Sequence, residues 1–371
     1  MATAWTEDHV KSIDRAATVT VPPIRPLVSS QLDHGRLYWD MWPVQDAAGP
    51  PAKLAGRQLW MALTAPDRGD PALRHFEARI HLLERGKTGW CDLGPVIPEQ
   101  SVPYEREWAG SAMTDGARIS LYYTAAGTAD RPRGYQQQLF ETHGIIGPDG
   151  LPADWSPPRP SIGEHHTAYI RADTHEGVAG RIKAFRDPAW FRDPADGQEY
   201  LIFTASLAGA RSEYNGAVGI ARRDGGGWTL LPPLVHADGV NNELERAHVV
   251  FHAGRYYLFW ATQSATFAPH LAAAPTGLYG MVADSLFGPY QPLNGSGLVL
   301  SNPDCSPAQS YSWSVTADLE VSSFVDFWSP LPNGGGATTD NGEPRFGGVP
   351  APIMRLMIDG DRCMLAELAV G

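Results

Sequence analysis

Four stretches of the chain repeat one pattern: "AGRQLWMALTA" (55–65), "DGARISLYYTA" (115–125), "DGQEYLIFTAS" (196–206) and "AGRYYLFWAT" (253–262). Each opens on a small or acidic residue followed by Gly, a tight-turn signal. Each then runs through aromatic and aliphatic strand formers. A fifth, weaker copy is "ADLEVSSFVDF" (317–327), with Asp in place of the turn Gly. The turn glycines stand at 56, 116, 197 and 254, so successive intervals are 60, 81 and 57 residues. Periods of that size carried by strands alone predict propeller blades.

Later strands recur as well. "NGAVGIARRDGGGWTLLPPLV" (215–235) parallels "TGLYGMVADSLFGPYQPLN" (276–294), and "ARIHLLERGKTGWCDLGPV" (78–96) is a looser copy. Upstream of the five turns lie "YWDMWP", "REWAGSA", "FRDPAWF", "ELERAHVVF" and "SYSWSVT". These would be the innermost strands, and their polar and aromatic residues suit a shared channel better than an apolar core. The expectation is an all-β chain: a single five-bladed β-propeller over 35–371 with a central funnel-shaped pocket. An N-terminal extension, 1–34, carries a short helix capped by Thr6. Long loops at 126–134, 147–180 and 263–275 fall on the rim, where loops carry specificity.

Composition narrows the function. Net charge is −12 with 29 Lys+Arg and no basic run, which argues against nucleic acid and anionic membrane as partners. No apolar run approaches a membrane span, and the N-terminus lacks the basic and apolar regions of an ordinary signal peptide. Cys91, Cys305 and Cys363 are separate thiols with no zinc spacing. His248 and His252 alternate on a strand and His165 and His166 sit in a loop, all read as surface or packing residues. No "GxSxG" elbow supports acyl transfer, and "DGGGW" reads as a hairpin turn.

Three acids head inner strands: Asp40, Asp187 and Glu245. They are expected at equivalent positions of separate repeats. Glu243 precedes Glu245 by two, which on a strand puts both on one side and raises at least one pKa. Arg246 would point to the other face unless the strand bends. "RDP" occurs twice, and Asp193 in the second copy reads as a turn residue. Acids in an aromatic-walled pocket are what glycoside cleavage needs, with Trp39, Trp42, Trp108 and Trp190 as candidate sugar platforms.

"YWDMWP", "EWAGSA", "FRDP", "NELER", "YYLFWAT", "LNGSGLVL" and "YSWSV", in this order, resemble the levansucrase and β-fructofuranosidase family, glycoside hydrolase family 68. The resemblance spans about residues 35 to 330 and implies a five-bladed propeller with an acidic pocket. It implies a retaining fructosyl enzyme acting on sucrose, with water, sugars or growing fructan as acceptors. Asp40 would be the nucleophile, Glu245 the general acid and base, and Asp187 the transition-state stabiliser. Glu243 and Arg186 would hold substrate, Arg246 would meet the glucosyl side, Trp39 and Trp108 would wall the fructosyl subsite, and Tyr311 would add a further contact. The Asp40 and Glu245 carboxyls should lie ~5–5.5 Å apart.

Ala109 stands where many members carry Ser, Gln263 where relatives often have Arg or His, and Trp313 where His is common. These departures put the product in doubt and leave the cleavage chemistry intact. Asn242 stands where those members of the family that hold calcium have an acid, so no metal is expected, and no cofactor either. The family's habit suggests export by a non-standard route, with the cytoplasm as the alternative. Cleavage of another glycan, such as arabinan, and non-catalytic sugar binding are the competing readings.

Overall fold

The computed structural model describes residues 2–25, 32, 35–87, 89–98, 102–128, 133–163, 167–172, 178–330, 338–339 and 342–366. His165 and His166 lie outside the described residues. The chain is all-β, and among the described residues its strands fall into five antiparallel runs.

The first run is Arg36–Gln45, Leu59–Pro66, Arg79–Gly86 and Gly89–Pro95. The second is Arg106–Thr114, Arg118–Ala126 and Gln137–Ile146, edged by Pro152–Ala153 and Arg159–Pro160. Parallel pairing of Val44 with Ala112 and Gln45 with Met113 joins these two runs into one sheet. The third run is Phe185–Arg192, Glu199–Ser206, Gly216–Asp224 and Gly227–His236. The fourth is Glu245–His252, Arg255–Thr262 and Gly277–Ala283, with Gln291–Pro292 and Leu298–Ser301 both on the last. The fifth starts with Ser310–Val315 and Glu320–Phe327. Phe346–Pro350 and Met354–Asp359 both pair with the latter, and Arg362–Leu365 lies outermost.

The repeated segments are thus the second strand of every run, and the motif-bearing segments the first. The turns explain the repeated glycines. Ala55 and Gly56 take φ of 46° and 83°, and Ala253 and Gly254 take 48° and 80°. Two consecutive left-handed residues make the hairpin turn that matches strand twist, and Gly fills the second position without strain. In the fifth copy Leu319 adopts this conformation, at φ 63°.

The N-terminal segment is built into the fold. Thr6 caps the helix Glu7–Lys11 reciprocally with His9, as a capping box. Before the helix, Thr3–Ala4 adds in parallel to Gly227–His236. Trp5 is 1 % exposed, packs edge-on against Trp260 at 5.3 Å, and donates Nε1–H to Ser296 O at 3.0 Å. Further on, Val21 N–H donates to Ser301 O, and Gln309 bonds both Pro22 O and Ile24 N. One short segment therefore ties the third, fourth and fifth runs together. Among the described residues no helix is long and apolar enough to cross a membrane.

Candidate active site

Every first strand carries an irregularity at the same level. Asp40 and Met41 stand opposite the single residue between Met61 and Leu63. Asp187 and Pro188, Arg246 and Ala247, and Ser312 and Trp313 are placed likewise. The first residue of each pair is left-handed: Asp40 at φ 48°, Asp187 at 59°, Arg246 at 51°, Ser312 at 58°. In the second run Ala109 is the extra residue, followed by Gly110. A Cβ on Gly110 would fall 1.9 Å from Tyr122 O, so only glycine fits there. Such bulges re-aim side chains, and Asp40 and Asp187 come to line one cavity.

This register corrects one expectation. Asp40 and Asp187 occupy equivalent positions, but Glu245 does not. Arg246 takes the bulge position in its run, and Glu245 precedes it, level with Trp39, Arg186 and Tyr311. Sequence spacing could not reveal this, because a bulge shifts register by one residue without changing composition.

The repeat threonines lock the bulges to one another. Thr124 Oγ1 accepts from Asp187 N at 2.8 Å and donates to Ala109 O at 3.1 Å. Thr204 Oγ1 accepts from Arg246 N at 2.8 Å and donates to Asp187 Oδ2 at 3.0 Å. Each hydroxyl belongs to one run and fixes the backbone of the next. Buried left-handed residues persist only where surroundings over-determine them, and these hydroxyls do so.

A cavity of about 430 Å³ gathers Trp39, Asp40, His75, Trp108, Arg186, Asp187, Glu243, Glu245 and Gln263. Arg186 is its electrostatic centre. Its Nη2 donates to Glu243 and also to Glu245 Oε1 at 3.1 Å, while Nε lies 3.4 Å from Asp187 Oδ2. Glu243 and Glu245 do face one side, as expected, though Glu243 lies just outside the strand. Tyr311 is buried behind Glu245 and donates its hydroxyl to the Oε2 atom.

Burial raises the pKa of Asp40, with Arg246 opposing and Glu245 reinforcing. Burial, again opposed by Arg186 and reinforced by Glu245, holds Asp187 and Glu243 well above the ordinary carboxylate range. Arg186 loses by burial but is raised overall by these same carboxylates. Burial, then Glu245, pushes Tyr311 far up, so it remains a donor. Ser312 donates to Asp40 through its side chain and accepts from Arg246 Nη1 at 3.0 Å. A hydroxyl thus reaches Asp40 from the fifth run, although Ala109 supplies none from the second.

Four candidates lie elsewhere. Arg246 turns away from the acids' cavity: Nη2 donates to Met41 O at 3.0 Å and the guanidinium stands 5.8 Å over Trp42. It lines a second cavity, of about 470 Å³, with Trp42, Trp190, Ser111 and His248. Trp42 and Trp190 therefore wall this second cavity and not the acids' one. Asp187 lines both. Ala109 is 1 % exposed and serves as a backbone acceptor. Asp193 acts as a turn residue, accepting from Ala195 N and from Tyr256 OH. His248 is a packing residue whose two ring nitrogens bond Arg246 O and Val315 N.

Among the described residues no group of three His, Cys, Asp or Glu is arranged to hold a metal ion. Asn242 belongs to a side-chain network. Asn242 bonds Gly180 N and Glu213 O, and the Lys183 ammonium reaches Glu213 O, Asn215 Oδ1 and Glu213 Oε2 at 2.9, 2.9 and 3.0 Å. His75, Tyr135, Gln137 and Lys183 also line the acids' cavity and were not signalled by the motifs. His75 lies in the 3-10 segment Pro71–Phe76, whose only sequence cue is the capping pair Asp70–Pro71.

The family model described as levansucrase/invertase matches residues 1–221 and 212–370. A levansucrase of Pseudomonas savastanoi pv. glycinea is 30 % identical over 412 residues, covering 99 % of this chain and 94 % of that protein. A levansucrase of Zymomonas mobilis is 32 % identical, covering 98 % and 90 %. A solved inulosucrase from Halalkalicoccus jeotgali, bound to kestose, superposes with a TM-score of 0.85 at 36 % identity, covering 98 % of this chain and 95 % of that one. With the acids gathered as described and the similarity running from end to end, the chain belongs to the levansucrase/invertase family, glycoside hydrolase family 68.

Proposed function

We propose that this protein is a retaining fructosyl-transferring glycosidase that cleaves sucrose and passes the fructosyl unit to water or to a sugar hydroxyl. The observation that carries the reading is the meeting of Asp40, Asp187 and Glu245 around one cavity, bridged by Arg186. The five antiparallel runs are read as five blades of one propeller spanning residues 35–371, with the N-terminal segment clasping three of them. The acids' cavity is then the funnel at one end of the central channel.

In this mechanism Glu245 gives its proton to the glycosidic oxygen while the Asp40 carboxylate attacks the anomeric carbon of the fructosyl unit. The carbon–oxygen bond breaks, glucose leaves, and an Asp40 fructosyl ester remains. Glu245, now a carboxylate, takes a proton from the incoming water or sugar hydroxyl. That oxygen displaces Asp40, and both groups return to their starting states. Tyr311 and Arg186 donate to Glu245 and hold its two oxygens in place. Ser312 orients Asp40. Asp187 and Arg186 grip fructosyl hydroxyls, Glu243 positions Arg186, and Trp39 and Trp108 wall the sugar against water. Gln263, at the rim, faces the acceptor.

Incubation with sucrose, with glucose and fructose quantified together, tests the proposal. Glucose equal to fructose reports hydrolysis, and glucose in excess reports transfer. No glucose release, from protein whose fold is intact, contradicts it.

A further inference from the structure

Past Asp187 lies the second cavity, of about 470 Å³, which the proposed chemistry does not use. The first strand of every run lines it: Trp42 and Gln45 from the first, Ser111 from the second, Trp190 from the third, Arg246 from the fourth and Ser314 from the fifth. Among the described residues, Asp187 alone is shared with the acids' cavity. Ala48, Arg192 and Pro194, also on its wall, are exposed, so the cavity opens to solvent. Its volume falls within the range of small-ligand sites, roughly 300–1,000 Å³.

The lining combines aromatic surface with polar groups that the fold leaves unbonded. Trp42 and Trp190 are 3 % and 4 % exposed, and among the described residues the N–H of each indole has no acceptor. Gln45 donates its amide N–H to Trp190 O at 3.0 Å, which fixes the side chain, while its Oε1 has no donor among the described residues. The half-buried Ser314 hydroxyl has no partner among them either. Buried polar groups are ordinarily paired, so their gathering around one cavity points to a ligand. The charged groups, by contrast, are engaged. The Arg246 guanidinium donates to Ser312 and to Met41 O, and Asp187 lies against Arg186. Asp193 accepts from Tyr256 OH, and Arg192 Nε donates to Gly197 O.

We propose that this cavity is a second, non-catalytic sugar site that takes a neutral saccharide of one or two rings. A charged ligand finds no free countercharge on this wall. A wholly apolar one leaves two indole N–H groups, an amide oxygen and a hydroxyl unpaired. A saccharide answers both kinds of group, because each of its hydroxyls donates and accepts while its C–H faces pack on indole. Ser111 adds to the set: its oxygen accepts from Trp190 N at 2.8 Å, which leaves its own proton for a ligand oxygen. The assignment stands on this lining and does not depend on the reaction at the acids.

Counting bound sucrose tests this. Sucrose is titrated into Asp40→Ala, which lacks the proposed nucleophile and keeps the lining of the second cavity intact. Ser314→Trp is then added to fill that cavity. Two sites are expected in the first protein and one in the second. If the acids' cavity takes no sucrose, the counts become one and none, so failure of the sucrose reading is told apart from failure of this one. Equal counts with and without Ser314→Trp overturn the proposal. A milder pair, Gln45→Leu with Ser314→Ala in the Asp40→Ala background, should weaken one site by roughly tenfold or more, and unchanged affinity counts against the assignment. Should these variants not fold, Asp40→Ala saturated with sucrose is examined by NMR. Overhauser contacts between sugar protons and the Trp190 ring are expected, and their absence at saturation overturns the proposal.

Discussion

Arg186 Nη2 stands 3.1 Å from Glu245 Oε1 while the same nitrogen bonds Glu243, so one cation organises two neighbouring acids. Removing it leaves buried carboxylates unpaired. Arg186→Met is expected to destabilise the fold by about 3–5 kcal/mol, the usual effect of breaking a buried pair from one side. Glucose release should fall at least a hundredfold. Thermal melting and steady-state kinetics check the two effects separately.

Ser312 lies between Arg246 and Asp40: its hydroxyl accepts from Arg246 Nη1 and its side chain acts to lower the pKa of Asp40. Ser312→Ala removes a hydrogen bond to the proposed nucleophile without opening the core. A roughly tenfold fall in kcat at little change in melting temperature is the expected result.

Several buried carboxyls are shifted upward together, which sets the pH dependence of stability. Glu107 is 4 % exposed and raised by burial to about 7, against the opposing bond from Ile80 N–H. Asp187 and Glu243 shift in the same direction. An acid raised in the folded state is held neutral there while the unfolded chain has already ionised. Its contribution to stability is complete below the unfolded value and is lost as pH rises through the folded one. Melting temperature is therefore expected to fall between pH 5 and pH 8. Glu141, held down to about 2 by His143, Trp228 and Arg159 despite its burial, is ionised in both states across that window and adds no slope. Glu107→Gln should flatten the decline, and an identical slope in that variant would count against the assignment.

The first 25 residues are predicted to be structural. Trp5→Ala empties a fully buried site among Trp260, Phe267 and Tyr279 and should cost about 3–5 kcal/mol. KM for sucrose should not move, because no described residue of this segment lines the acids' cavity. Chemical denaturation and kinetics on the same preparation check both halves.

The all-β class was legible because four of the five second strands are announced by a Gly turn and all five run through aromatic and aliphatic strand formers. The strand beginning at Leu59 and the one beginning at Arg255 are both preceded by Ala-Gly. The acids were legible because charged residues in first strands contradict an ordinary core. What the sequence hid is geometric. The bulge makes Arg246, not Glu245, the counterpart of Asp40, and it sends Trp42 and Trp190 to the opposite cavity. Thr124 and Thr204 look like ordinary strand formers until their hydroxyls are found holding the next run's backbone. His75 was invisible because its segment is short and the Trp39 and Trp108 that surround it come from distant strands.

The covalent intermediate is the most direct test of the whole account. Wild-type protein is mixed with sucrose, quenched within the steady state in acid, digested and examined by mass spectrometry. The account predicts one added fructosyl unit on the peptide containing Asp40, and none in Asp40→Ala or Glu245→Ala treated alike. Sucrose cleavage undiminished in Asp40→Ala, or the adduct on another residue, would contradict it.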